Sequence, residues 1–96
     1  MRINENQKKA IIEAVKNIDN EARIWLFGSR ADDSKKGGDI DIAVFSDIIN
    51  KNSMLVIKVR RFICDKIGEQ KIDIITTSNG TEAIFRLAMA EGIELI

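Results

Sequence analysis

From Asp39 to Val44 the chain alternates strictly, with Asp39, Asp41 and Ala43 on one side and Ile40, Ile42 and Val44 on the other. A repeat of two is the signature of a strand with one apolar face, so this segment constrains the chain to a sheet packed on at least that side. The remaining segments supply the packing. Apolar residues at Ala10, Ile11, Ala14, Val15 and Ile18 predict an amphipathic helix over 4–19, whose other face carries Lys8, Lys9, Glu13, Lys16 and Asn17. Ala22 to Phe27, with Ile24, Trp25 and Phe27, reads as a short buried strand ending at Gly28.

Gly28 to Gly38 is a polar connector with Gly37-Gly38 just before the alternating strand, and Ser46 to Asn52 reads as a turn. Helical spacing returns over Ser53 to Ile67, with Gly68 as its stop, and Lys71 to Thr76 is a third strand. Thr81 is expected to cap a last helix that holds Ile84, Phe85, Leu87, Ala88 and Met89 and ends at Gly92. Ile93 to Ile96 is expected to add an edge strand or dock on the core. The order is α-β-β-α-β-α. The second and third strands are expected to be neighbours, antiparallel or nearly so. The helix between the Asp39 strand and the Asp73 strand permits a crossover that brings both acidic positions to one edge.

Several function classes fall away on composition. The chain has 96 residues and no histidine, which removes His-based zinc sites and Ser-His-Asp or Cys-His catalysis. Its single cysteine, Cys64, has no partner for an intramolecular disulfide and is expected as a buried helix residue. Fifteen basic and fifteen acidic residues give a net charge of zero, which argues against an extended nucleic-acid track while leaving room for one nucleotide. A polar amino terminus and the lack of any long apolar run point to a cytoplasmic chain without a membrane span. The length suits one domain with one core.

Carboxylates are the chemistry left in quantity. Residues two apart on a strand point the same way, about 6.5–7 Å apart, so Asp39 and Asp41 can bracket a divalent ion. Asp73, in Lys71-Ile72-Asp73-Ile74-Ile75, is the third acid that would close the constellation. Taken alone, an Asp-x-Asp is more often a solvated strand face, and Asp73 equally suits a half-buried strand with one outward acid. Phe27-Gly28-Ser29-Arg30-Ala31 upstream shifts the balance. Gly28 lets the backbone approach a ligand, and Ser29 with Asp32 resembles a capping box opening a short helical turn whose N–H groups face a phosphate. Arg30, Lys35 and Lys36 are candidates to neutralise a triphosphate, with plain loop solubility the competing explanation, favoured for the two lysines. The spacings fit neither an EF-hand nor a P-loop. Phosphates, a divalent metal and three carboxylates together imply nucleotidyl transfer.

With these residues in place the chain resembles a minimal nucleotidyltransferase of the DNA polymerase β-like superfamily, and in particular the small MNT proteins encoded beside HEPN-domain toxins. The resemblance rests on Leu26-Phe27-Gly28-Ser29-Arg30-Ala31 followed by Gly38-Asp39-Ile40-Asp41-Ile42-Ala43, with Asp73 at the later strand acid. It implies an α+β fold over residues 1–96, a short mixed β-sheet backed by helices. It implies that Asp39, Asp41 and Asp73 are the catalytic and metal residues, that Gly28, Ser29 and Arg30 bind nucleotide, and that two Mg²⁺ ions act on a nucleoside triphosphate. In toxin-associated members the donor is ATP and the acceptor is a tyrosine of the partner, so a HEPN-domain toxin is the expected partner, in a homo- or hetero-oligomer. The phosphate loop departs from the family: it is shorter than the commonest spacing, and Asp33 stands where many relatives carry glycine. The chain stops where larger nucleotidyltransferases add an acceptor domain, so a partner protein is expected to supply that surface. Two other classes stay in view: an antitoxin that neutralises its partner by occlusion, and a subunit of an aminoglycoside-type nucleotidyltransferase.

Overall fold

The structure is a computed structural model that describes residues 1–34 and 38–96. Helix α1 (Glu5–Lys16) opens on a capping box in which Asn4 Oδ1 accepts from Gln7 N at 2.8 Å and Gln7 Oε1 accepts from Asn4 N at 2.9 Å. Strand β1 (Arg23–Phe27) leads into a single 3-10 turn, Gly28–Arg30, and β2 (Ile40–Phe45) returns beside it. A one-turn helix α2 (Asp47–Asn50) precedes α3 (Ser53–Ile67), which ends at Gly68 with φ 92°, a backbone conformation that glycine adopts without steric cost. Strand β3 (Ile72–Thr77), helix α4 (Ala83–Glu91) and the short strand β4 (Ile93–Leu95) complete the chain. This is the expected α+β architecture, a four-stranded mixed sheet in the order β3-β2-β1-β4.

The alternation of β2 divides the molecule into two packed layers. Ile40, Ile42 and Val44 join Ile24, Leu26 and Ile72 on one face, against Ile11, Ala14 and Val15 of α1 and Val59 and Ile63 of α3. On the opposite face, Trp25 and Ala43 meet Phe85 and Ala88 of α4, with Phe27, Phe45 and Ile75 packed around them. Phe45 sits between Trp25 at 5.0 Å and Phe85 at 5.7 Å, the latter edge-on, as aromatic quadrupoles prefer. Ala43 is the residue of β2 buried in this second core, and Phe27, which pairs with Asp41, packs at its edge.

Four expectations need correction. β2 and β3 are neighbours, but parallel: α2 and α3 join them, and a helical crossover brings the chain back in its original direction. The segment read as a turn after Phe45 contains α2, because Ser46 Oγ caps it by accepting from Ile49 N at 3.1 Å and the Ile49 side chain is buried in the main core. Thr81 does not cap α4; its N–H and hydroxyl both donate to Asn79 Oδ1, and Glu82 takes the cap position while accepting from Thr77 Oγ1. Cys64 is half-buried, its Sγ 3.8 Å from the Gln70 carbonyl oxygen. Among the described residues, no helix is long and apolar enough to cross a membrane.

Candidate active site

The parallel register places Asp41 of β2 directly beside Asp73 of β3. Ile40 and Ile42 on one side of β2 are in the main core, as is Ile72 of β3 with Ile74 packed against it, so both acids point to the α4 side of the sheet. Asp39 precedes β2 on the same face. Asp73 is exposed, whereas Asp41 is half-buried. The three acids expected from the sequence therefore share one strand end, with Asp41 in the middle.

Their charges act on one another. The Asp41 carboxyl is raised above the ordinary carboxylate value, first by partial burial, then by the neighbouring charge of Asp73 and the hydrogen-bonding contact between the two carboxyls, then by Asp39; Lys71 opposes the rise. Two carboxyls in contact cannot both ionise freely unless positive charge is brought to them. Asp39 already has a cation: Lys71 Nζ lies 3.4 Å from its Oδ2. Among the described residues, no three acidic, histidine or cysteine side chains converge closely enough to hold a metal ion. The donor set nevertheless fits one, since a like-charged pair of hard carboxylate oxygens with a third acid on the same face is what Mg²⁺ takes alongside phosphate oxygens.

The turn that follows β1 lies against these acids because the antiparallel register pairs Phe27 with Asp41. Gly28 has φ 71°, and a Cβ there would stand 2.5 Å from Asp41 Oδ2. Only glycine lets the main chain turn this close to the carboxylate. The turn starts at Gly28 with Phe27 in the cap position, so Ser29 lies inside it and is not its cap. Asp32 Oδ1 accepts from the N–H and hydroxyl of Ser34, at 2.9 and 2.6 Å.

Arg30 is engaged by main-chain carbonyls. Its two terminal nitrogens donate to the carbonyls of Arg2 and Gly38, each at 2.9 Å, while Arg2 N donates to Arg30 O at 2.7 Å. The guanidinium thus ties the amino terminus and Gly38 to the 3-10 turn. Lys35, Lys36 and Gly37 lie outside the described residues. Sequence reasoning missed Lys71; its signal was the Lys-x-Asp spacing, which puts Lys71 on the same strand face as Asp73.

A cleft of about 400 Å³ runs along α3, lined by Arg60, Arg61, Cys64 and Gln70 among others, with none of the three acids in its wall. Among curated proteins none matches the chain. Against protein families, residues 9–96 match the family described as Polymerase beta, Nucleotidyltransferase.

Proposed function

The chain belongs to the polymerase β nucleotidyltransferase family, and from that premise we propose that it is a Mg²⁺-dependent enzyme transferring AMP from ATP to a tyrosine hydroxyl of a partner HEPN-domain toxin, acting as a cytoplasmic antitoxin. Nucleotidyl transfer in general is the chemistry of the family. The observation that supports metal-dependent transfer at this site is the pairing of Asp41 with Asp73 at the strand end against the Gly28–Ser29 turn.

Asp39, Asp41 and Asp73 are the residues that would hold the divalent cations. Bound there, such ions neutralise triphosphate charge and make an attached hydroxyl more acidic. Gly28 lets the main chain approach the phosphates, and Ser29 donates to their oxygens from its N–H and hydroxyl. Asp73, the most open of the three acids, takes the proton of the acceptor hydroxyl on a carboxylate oxygen. The acceptor oxygen bonds to the α-phosphorus as the bond from that phosphorus to the α–β bridging oxygen breaks, and pyrophosphate leaves with that oxygen. An acid that stands exposed at the end of a sheet is accessible to a side chain presented by another protein, which favours a macromolecular acceptor over an enclosed small molecule.

The test is labelled ATP with Mg²⁺, with and without the co-encoded neighbour. Label is expected to move to the neighbour with the wild-type chain and to stay in ATP with Asp41→Asn, whose folding is checked by circular dichroism. Transfer by that variant would sink the assignment of Asp41. A second reading, neutralisation by occlusion, draws support from α4, which exposes Ile84 and Leu87 one turn apart at 49% and 55%. It is favoured if the complex forms without any transfer.

A further inference from the structure

One step back from the Ile40–Ile72 pair, Asp39 and Lys71 stand opposite each other at the mouth of the β2–β3 ladder, where Ile40 N donates to Lys71 O at 3.1 Å. Lys71 shares its face with Asp73, two residues on, and its ammonium is 3.4 Å from Asp39 Oδ2. The ion pair and the spread of the acids belong together, for Asp39 directed at Lys71 does not close on Asp41 and Asp73, and no three-acid cage forms among the described residues. We propose that Lys71 is a positioning residue of the acid face: it holds Asp39 off the Asp41–Asp73 pair, and Asp39 exchanges this ammonium for a divalent cation when the ligand set closes.

The inference rests on the reading of these acids as metal ligands. The exchange is feasible because the two side chains are 70% and 47% exposed, so water screens their attraction, whereas a doubly charged ion among three carboxylates is held much more strongly. The same geometry leaves the released ammonium on the face where the triphosphate would lie.

Mn²⁺ binding, read from the electron paramagnetic resonance signal of the free ion, tests this without any turnover. Wild type, Lys71→Met, Asp39→Asn and the double variant are titrated, with circular dichroism to verify folding and Lys71→Gln as a second neutral variant. Lys71→Met is expected to bind Mn²⁺ about two- to fivefold more tightly than wild type, the scale of an exposed ion pair. Asp39→Asn is expected to bind more weakly, and adding Lys71→Met to it is expected to restore nothing. An equal gain in both backgrounds would mean a general charge effect and overturns the proposal, as does unchanged or weaker binding by Lys71→Met and Lys71→Gln. In those cases the metal-site reading survives, because wild type still binds. No Mn²⁺ binding by any folded variant overturns both.

Discussion

A methyl group on Gly28 would stand 2.5 Å from Asp41 Oδ2 and would have to be carried at φ 71°. Left-handed backbone costs an L-residue about 1–2 kcal/mol, and the carboxylate would have to move as well. Gly28→Ala is therefore expected to lower stability by about that amount in urea unfolding, and to cut nucleotidyl transfer beyond what the lost stability explains. The importance of Gly28 was legible in the sequence, because a Gly-Ser corner after an apolar strand is a local signal. The role of Arg30 was not. Its partners, the carbonyls of Arg2 and Gly38, lie 28 and 8 residues away along the chain, and no local pattern announces them. Among charged side chains in a loop, folding decides which meet carbonyls and which meet solvent.

Secondary-structure elements followed their periodicity closely, and the departures arose at caps. Helix α3 spans the range that its apolar spacing and Gly68 predict, and β2 keeps the two faces that its alternation predicts. Ser46 shows how a cap can extend beyond its own turn: its hydroxyl accepts from Ile49 N and donates to Asp19 Oδ2 at 2.6 Å, so it both starts α2 and ties it to the segment after α1. Ser46→Ala removes both bonds and leaves them without replacement in a buried position. A loss of about 1–2 kcal/mol is expected, read as a shift in the urea midpoint at unchanged slope. A change in slope would instead mean that the denatured or native ensemble itself had altered. Thr81 was the natural cap by residue type, but Asn79 captures its hydroxyl and the cap falls one residue later, on Glu82. Short polar side chains compete for the same donors, and sequence alone does not rank the competitors.

At the scale of the whole molecule, α4 covers Ala43 and Trp25, and Asp41, two residues before Ala43 on the same face, is half out of water beside two other acids. Its pKa is raised from the ordinary 3.8, foremost by burial and then by Asp73 and Asp39. The folded chain accordingly holds more protons than the unfolded one above that value, so the contribution of Asp41 to stability is full below about 3.8 and is lost as pH rises through the raised value. In the absence of divalent cations Asp41→Asn is expected to be more stable than wild type at neutral pH. The advantage should shrink as pH falls towards the ordinary carboxylate range, in paired urea titrations across pH. An advantage independent of pH would show that charge is not its origin. The sequence by itself determined the longer elements, the two-faced character of β2, the absence of histidine chemistry and the placing of acids at strand starts, because periodicity, turn residues and side-chain type are local properties. Only the tertiary structure decided that β2 and β3 run parallel, that Asp41 meets Asp73 while Asp39 meets Lys71, and that Gly28 presses on Asp41. Those contacts depend on which strands pair and at what offset, and that offset is set by how Ile40, Ile42, Ile72 and Ile74 pack with the helices on the far side of the sheet.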